Sequence, residues 1–240
     1  MSILSLRGLV KRYHERQVVC GVSLDIEQGQ VIGLLGPNGA GKTTTFYMTV
    51  GMIQPEQGQV FIDQTDITSF QMYLRARYGI GYLPQESSVF KKLSVYDNIF
   101  AILEMRGIDR KENIKKTTSL LEEMGIGHLF KQKAVVLSGG ERRRLEICRV
   151  LAIDPKFILL DEPFAGIDPM AVADIQTMIR HLTHRGIGVL ISDHNVRETL
   201  GVCDSAYILS DGKVIESGSP DSIASSEIAR KIYLGETFRL

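Results

Sequence analysis

The sequence predicts an α/β fold built around a phosphate-binding loop. Residues 36–43 fit the pattern G-x-x-x-x-G-K-[ST], in which backbone N–H groups surround phosphate oxygens. A continuous apolar run at residues 31–35 precedes the loop and a helical segment at residues 44–52 follows it, which is typical of a buried parallel strand leading into a phosphate-binding helix. Apolar runs at residues 157–160 and 188–192 predict two more strands of this kind.

Two other regions accompany this core. Apolar and polar residues alternate over residues 22–26, which predicts a half-exposed antiparallel strand and hence an antiparallel β region near the N-terminus. Residues 94–97 form a capping-box start, and helical spacing of apolar residues continues to Met124. We therefore expect a helical subdomain, at about residues 87–150, inserted into the α/β core.

Local signals place the last elements of the chain. Asp168-Pro169 predicts the N-cap and first residue of a helix that reaches about His184. Asp211-Gly212 predicts the turn of a β-hairpin. Ser219-Pro220 predicts the start of a last short helix, which leaves residues 233–240 as a tail.

These elements fit one 240-residue domain. The α/β core and its β region comprise about residues 1–86 and 151–218, and the C-terminal helix and tail comprise about residues 219–240. With 44% apolar residues, the chain can bury a core of this size.

Composition narrows the function classes. The chain has 28 basic and 28 acidic residues and a net charge of zero, whereas a dedicated nucleic-acid binder presents a strongly basic surface. No apolar run approaches the roughly 20 residues that span a bilayer, and residues 1–5 lack the features of a signal peptide, so we expect a cytoplasmic protein. Three cysteines without metal-ligand spacing predict buried thiols.

The phosphate-binding loop supplies most of the predicted nucleotide site. Lys42 is expected to reach the β and γ phosphates, and Thr43 to coordinate Mg²⁺. The predicted site residues of this segment are Gly36, Pro37, Asn38, Gly39, Ala40, Gly41, Lys42, Thr43 and Thr44.

Two carboxylates follow the apolar run at residues 157–160. Asp161 ends the strand, where a carboxylate can hold magnesium and its water shell, while Glu162 points elsewhere and suits a general base or water-orienting group. Without the upstream loop, a solvated strand end would be the better interpretation. Gln85 follows another apolar segment and can contact both magnesium and a mobile loop, although alone it would be an ordinary loop residue.

Two aromatic side chains complete the nucleotide site. His194 follows the strand at residues 188–192 and can donate a hydrogen bond to the γ-phosphate, whereas an isolated histidine is more often structural. Tyr13 can stack on adenine, with an ordinary core or surface tyrosine as the alternative.

A second anion-binding segment lies at residues 137–141, Leu-Ser-Gly-Gly-Glu. Ser138 supplies a hydroxyl, and Gly139 and Gly140 begin a new helix whose N-terminus attracts anions. Because the chain's own loop already encloses its phosphates, this segment is expected to serve the nucleotide of a second subunit.

Taken together, these motifs resemble the full series found in ABC-transporter nucleotide-binding subunits, along the whole chain. That family has a P-loop NTPase core, binds ATP and Mg²⁺, and forms head-to-tail homodimers that sandwich two ATP molecules. The resemblance implies that Ser138 and Gly140 act in trans, that Glu162 is the catalytic base, that His194 holds the γ-phosphate and that Asp168 communicates across the dimer. Two departures are Glu141, where glutamine is commoner, and Gly166, where many members have leucine.

Several short sequence segments indicate a particular subfamily. Residues 43–48, 137–147, 163–166, 193–200 and 233–240 are similar to those of ATPase subunits from bacterial lipopolysaccharide exporters. This resemblance implies two different integral membrane partners, a membrane-anchored bridge protein, and a position on the cytoplasmic face of the inner membrane held through partners only. The alternatives are the ATPase of a branched-chain amino-acid importer, a non-transport ABC ATPase and, outside the family, a small kinase or GTPase.

Partner contacts follow from the same resemblance. Tyr82, Phe90 and Lys91 are the candidates for lining a groove that receives short helices of the membrane subunits, with core packing as the alternative for Phe90. Residues 233–240 are predicted to pin the two ATPase subunits together, because an aromatic-bearing tail seldom stays ordered without a partner.

Overall fold

The computed structural model describes residues 1–166, 169–235, 238 and 240, and it describes residues 169–171 by their backbone only. The chain divides into two compact units. The first comprises Met1–Tyr82 and Lys156–Leu240, and the second comprises Leu83–Pro155. The second unit is a few residues wider at each end than the helical subdomain expected at residues 87–150.

Two β-sheets organise the first unit. In chain order, the strands of the described residues are β1 (Ile3–Tyr13), β2 (Arg16–Glu27), β3 (Val31–Leu35), β4 (Gln57–Ile62), β5 (Thr65–Asp66), β6 (Ile80–Leu83), β7 (Phe157–Asp161), β8 (Gly188–Ser192), β9 (Ser205–Ser210) and β10 (Lys213–Gly218). One sheet has the order β2-β1-β4-β5, and the other has the order β10-β9-β3-β8-β7-β6.

The parallel strands of the larger sheet position the candidate site. Every residue of β3, β7 and β8 is buried, as their continuous apolar sequences predict. Strand β8 lies between β3 and β7, and its Ser192 is paired with Leu34 on one side and with Asp161 on the other. Since these strands are parallel, the segments that follow them leave the sheet along one edge.

The antiparallel β region is larger than the sequence indicated. Strand β2 shows the predicted alternation of buried and exposed residues, and it pairs with β1, which in turn pairs with β4. The sequence analysis missed β1 and β4. In β1 the register shifts between Leu6 and Leu9, around Gly8, which has a φ of +59°, so no regular alternation marks this strand.

Short helices and turns connect the strands of the first unit. Its helices are α1 (Lys42–Val50), α2 (Met72–Arg77), α6 (Pro169–His184), α7 (Val196–Leu200), α8 (Pro220–Ser225) and α9 (Glu227–Ala229), where α3 to α5 belong to the second unit. The hairpin turn between β9 and β10 is present, with φ of +47° at Asp211 and +75° at Gly212. The predicted N-cap Asp168 lies outside the described residues.

The C-terminal segment differs from the prediction. Helix α8 is capped by Ser219, as expected, but it is not the last helical element, because α9 and a π-helical turn at Arg230–Leu234 follow it. Tyr233, Leu234 and Phe238 pack against a buried cluster that includes Leu35 and Ile208. The described part of the tail therefore contacts its own subunit.

The second unit is helical. It contains α3 (Val95–Met105), α4 (Arg110–Glu123) and α5 (Gly139–Leu151), with 3-10 turns at Gly127–Leu129 and Ala134–Val136. The three α-helices pack against one another. The predicted cap of α3 is present, because the Ser94 hydroxyl accepts a hydrogen bond from the Asp97 amide at 2.9 Å.

A buried arginine holds the end of the helix that follows the phosphate-binding loop. Arg75 on α2 has no exposed surface, and its guanidinium donates to the carbonyls of Met48 at 2.6 Å and Thr49 at 2.8 Å, in the last turn of α1. It also donates to the carbonyls of Phe70 and Thr68. Burial lowers the pKa of Arg75 to about 10. The arginine still carries its charge at neutral pH and satisfies four carbonyls.

Within the described ranges, no helix combines the length and the apolar character needed to cross a lipid bilayer.

Candidate functional site

The phosphate-binding loop is shaped by two glycines that no other residue could replace without strain. Gly36 has a φ of +146°, and a Cβ atom there would lie 2.2 Å from the carbonyl oxygen of Leu209. Gly41 has a φ of +102°, and its Cβ would lie 2.5 Å from the carbonyl oxygen of Val18. The loop therefore passes against neighbouring backbone before Lys42 begins α1.

Lys42 is enclosed by the loop that precedes it. Its side chain is buried, and Nζ donates to the carbonyl oxygens of Gly36 at 2.6 Å and Pro37 at 3.0 Å. Burial lowers the pKa of Lys42, while the nearby carboxylates of Glu162, Asp161 and Asp193 partly offset this effect. The ammonium group thus lies near acidic residues at the ends of β7 and β8.

A cavity of about 270 Å³ opens beside the loop. Its lining residues are Tyr13, Arg16, Val18, Asn38, Gly39, Ala40, Gly41, Lys42, Thr43, Thr44 and Glu162. The structure thus brings the predicted Tyr13, most of the loop and Glu162 together around one space. The amides at the N-terminus of α1 and the Lys42 ammonium suit polyphosphate. Arg16 and Val18 had no signal in the sequence that marked them as part of this site.

Tyr13 is the last residue of β1, and 44% of its surface is exposed. The Lys11 ammonium lies 5.8 Å from the centroid of its ring. The Tyr13 ring is therefore accessible at the wall of the cavity, as stacking on a base requires.

The two adjacent carboxylates are separated by an unusual backbone conformation. Asp161 is 6% exposed at the end of β7, and its carboxylate accepts a hydrogen bond from the Tyr82 hydroxyl at 3.2 Å. Burial raises the pKa of Asp161. Glu162 has a φ of +47°, which is rare for a residue with a side chain, and its amide donates to the Ser192 carbonyl at 2.6 Å. The chain turns at Glu162, so one carboxyl group is buried and the other reaches the cavity.

Asp193 connects the segments that follow β7 and β8. It is fully buried and accepts hydrogen bonds from the amides of Phe164 at 2.7 Å and Asn195 at 2.8 Å, while the Asn195 side chain donates to the Phe164 carbonyl. The sequence analysis did not assign a role to Asp193. These bonds fix the position of His194, whose Nδ1 lies 3.6 Å from a carboxylate oxygen of Glu162.

The second anion-binding segment belongs to the second unit, where Ser138 caps α5. The Ser138 hydroxyl accepts from the Glu141 amide, and the Glu141 carboxylate accepts from the Ser138 amide at 2.8 Å and from its hydroxyl at 2.7 Å. These bonds lower the pKa of Glu141. A Cβ at Gly139 or Gly140 would meet no described atom within 4 Å, and neither glycine has a positive φ.

Replacing Glu141 by alanine is expected to lower the free energy of unfolding by about 1 kcal/mol, because the amide of Ser138, the N-cap residue of α5, loses the carboxylate that accepts its hydrogen bond. Thermal unfolding at neutral pH measures this loss. The lowered pKa means that the stabilisation is present above the pKa of an unfolded glutamate and is lost as the pH falls. Glu141→Gln is the matched control, since its amide oxygen still accepts from Ser138. Equal losses for the two variants would show that the capping interaction contributes nothing.

The remaining predicted residues have different positions. Gln85 lies in the second unit and is exposed. Phe90 is 46% exposed and Lys91 is exposed, also in the second unit. Tyr82 is partly buried, its ring packs against the core of the first unit, and its hydroxyl donates a hydrogen bond to Asp161.

Comparison with known proteins identifies the family. Residues 19–165 match the family described as ABC transporter. A Haemophilus influenzae protein named lipopolysaccharide export system ATP-binding protein LptB is 53% identical over 241 residues and covers 100% of both chains. A probable ABC transporter ATP-binding protein of Azorhizobium caulinodans is 58% identical over 237 residues, which cover 99% of this chain and 84% of that protein.

A solved structure shows the same architecture. The ADP conformation of MJ1267, an ATP-binding cassette of an ABC transporter, has a TM-score of 0.87 and 30% sequence identity, covering 98% of this chain and 100% of that chain. The phosphate-binding loop, the carboxylates after β7 and the capped glycine segment are all present in a chain that matches such proteins from end to end. The chain belongs to the family of ABC transporter ATP-binding proteins, and its activity is ATP hydrolysis.

Proposed function

We propose that this chain is the ATP-hydrolysing motor subunit of a lipopolysaccharide export transporter. The observation that supports this most directly is the 53% identity, over the full length of both chains, to the Haemophilus influenzae protein named for lipopolysaccharide export. Proteins with the same name in Escherichia coli and Acidithiobacillus ferridurans are 53% and 54% identical. The subunit converts ATP hydrolysis into work on membrane partners, which extract lipopolysaccharide toward the outer membrane.

The cavity residues have separate chemical roles in hydrolysis. Lys42 contacts the β and γ phosphates, since its ammonium is buried within the loop. Tyr13 stacks on adenine at the exposed wall of the cavity. Glu162 orients or deprotonates the attacking water, and His194, whose ring lies beside Glu162, donates to the γ-phosphate.

The donor set suits magnesium. Thr43 lines the cavity and carries a hydroxyl group, and Asp161 supplies a buried carboxylate. Mg²⁺ prefers such oxygen ligands. When bound, Mg²⁺ neutralises charge that develops on the phosphates. We assign these two side chains of the first unit as its protein ligands.

The second anion-binding segment, residues 137–141, acts on the nucleotide of a second copy of the chain. Gly139 and Gly140 are the first two residues of α5, and they have neither a positive φ nor a close neighbour that requires glycine. Close approach of an external group explains both residues. Ser138 and the amides of α5 then bind the γ-phosphate held by the partner's loop, in a head-to-tail homodimer in which Asp168 communicates between the sites.

Two different integral membrane subunits complete the transporter in this proposal and hold the ATPase on the cytoplasmic face of the inner membrane. Phe90 and Lys91 form the contact with short helices of these partners. The Phe90 ring is exposed, with the Arg149 guanidinium 4.1 Å from its centroid, and its backbone is fixed by hydrogen bonds to the Asn98 side chain. An exposed but rigidly held aromatic ring is suited to protein recognition.

Copurification from the native cell tests the proposal. The tagged subunit, extracted with membranes in mild detergent, is expected to bring down two different membrane proteins and lipopolysaccharide. Phe90→Ala should reduce this recovery at least about tenfold, as loss of an interface hot spot does, while ATP hydrolysis by the isolated subunit stays unchanged.

Phe130→Ala is the matched control, because Phe130 lies in the same unit, is 44% exposed and also has a cation near its ring, Lys131 at 5.3 Å. Equal effects of the two substitutions would contradict the assignment of Phe90. Copurification of amino-acid permease subunits would instead identify the chain as the ATPase of an amino-acid importer. Recovery of the tagged subunit without any membrane protein would overturn a role in transport.

A further inference from the structure

Tyr82 links the core of the first unit to the buried carboxylate of the nucleotide site. It lies on β6, 79 residues away from Asp161 in the sequence, and its hydroxyl donates to Asp161 Oδ2 at 3.2 Å. The ring is partly buried and packs against the apolar cluster that includes Phe157, Leu159 and Phe46. The side chain is therefore held at both ends, because its apolar ring packs in the core and its polar tip binds a carboxylate.

The Tyr82 hydroxyl is the donor in this bond, because a carboxylate oxygen only accepts. A side-chain hydrogen bond also links Tyr82 to Tyr47. The Tyr82 hydroxyl is thus a side-chain donor that reaches the Asp161 carboxylate from β6.

The Tyr82 hydroxyl serves the Asp161 carboxylate and is not needed for the packing of the ring. Asp161 is 6% exposed, so its carboxylate has little access to water, and an unmatched buried carboxylate is costly. A phenylalanine at position 82 would fill the same apolar space without the cost of burying a hydroxyl. The hydroxyl matters because the carboxylate beside it must keep one orientation, since protein groups that hydrogen-bond to metal-binding carboxylates fix their geometry.

We propose that Tyr82 is a positioning residue for the divalent cation of ATP hydrolysis, acting by orienting the carboxylate of Asp161 through Oδ2. The inference rests on the proposed assignment of Asp161 as a magnesium ligand. It replaces the expected role of Tyr82 in partner binding with a role inside the nucleotide site. Tyr82 touches neither nucleotide nor cation in this proposal, so its loss should change how strongly Mg²⁺ supports nucleotide binding.

The test compares nucleotide affinity with and without magnesium for the full-length subunit. Binding of a fluorescent ATP analogue is titrated in excess EDTA and at a series of Mg²⁺ concentrations. Tyr82→Phe is expected to leave the affinity in EDTA unchanged and to raise the Mg²⁺ concentration needed for half of its effect by about tenfold, the lower end of the usual effect of losing such a supporting contact. Mn²⁺ binding, followed by electron paramagnetic resonance in the presence of the analogue, should weaken in parallel.

Tyr207→Phe provides the matched control. Tyr207 is also a partly buried tyrosine that packs against the same apolar cluster, but it lies on β9 and makes no contact with Asp161 in the described structure. Its loss of a hydroxyl should leave the magnesium dependence unchanged. Because the readout compares two affinities of the folded protein, a general loss of stability cancels.

The outcomes separate the two proposals. An unchanged magnesium dependence in Tyr82→Phe, with a normal dependence in the wild type, overturns the positioning role alone. Equal loss of affinity in EDTA and in Mg²⁺ also overturns it, because the defect then lies in nucleotide binding or packing. If the nucleotide affinity of the wild-type protein is the same in EDTA and in Mg²⁺, the proposed metal site is overturned, and the inference with it.

Discussion

Replacing Glu162 by glutamine is expected to lower ATP turnover by about 10²–10⁴-fold, the usual contribution of a positioned general base. The amide keeps the shape of the side chain but cannot accept a proton from water. The backbone at Glu162 is held at a φ of +47°, with its amide bonded to the Ser192 carbonyl, so glutamine should take the same place beside the cavity. Phosphate release by the purified subunit at saturating ATP measures the loss.

Trapping of the substrate distinguishes this defect from a loss of binding. Glu162→Gln should still bind ATP and should accumulate as an ATP-bound dimer in size-exclusion chromatography. Glu227→Gln makes the same chemical change at an exposed position on α9 and should leave turnover normal. Near-normal turnover by Glu162→Gln would remove Glu162 from the catalytic role.

Replacing Arg75 by leucine is expected to lower the free energy of unfolding by about 3 kcal/mol or more, because buried carbonyls that lose their donor cost about 1–3 kcal/mol each. The guanidinium satisfies the carbonyls of Met48, Thr49, Phe70 and Thr68, and leucine can donate to none of them. For a chain of this length, the thermal midpoint should fall by about 6–12 °C. Calorimetry or circular dichroism measures the shift.

The control lies on the same short helix. Arg77 is exposed, and its guanidinium lies 5.9 Å from the centroid of the Tyr73 ring, so Arg77→Leu should change the free energy of unfolding by less than about 0.5 kcal/mol. If the two substitutions had similar effects, the buried hydrogen bonds of Arg75 would not be what stabilises the end of α1.

Neighbouring residues explain why much of the site could be predicted. Gly36, Lys42 and Thr43 lie within one eight-residue motif, so a short stretch of sequence is enough to predict their roles. Strand β3 and strand β8 are buried throughout, and continuous apolar sequence is a sufficient signal for such strands. The same reasoning gave the hairpin at Asp211-Gly212, because only a few residue pairs favour that turn.

Features that depend on distant residues were not predictable in this way. Tyr82 was expected in a partner groove, yet its hydroxyl contacts Asp161, because the side to which a strand residue points depends on the register and packing of the sheet. Arg75 had no local signal, since its four acceptors come from segments on either side of β4 and β5. Tyr233 and Phe238 of the tail pack against a cluster of their own subunit, which no local pattern in the sequence indicated.

Short-range sequence patterns predicted the phosphate-binding loop, the parallel strands around it, the helix that begins after Ser138 and the acidic residues at the end of β7. Each of these is a short-range pattern whose backbone and side-chain requirements are met within a few residues. The tertiary structure alone decided which carboxyl group is buried, which hydroxyl orients it and which arginine holds the phosphate-loop helix. Those choices depend on burial and on hydrogen-bond partners that only the packing of distant segments brings within reach.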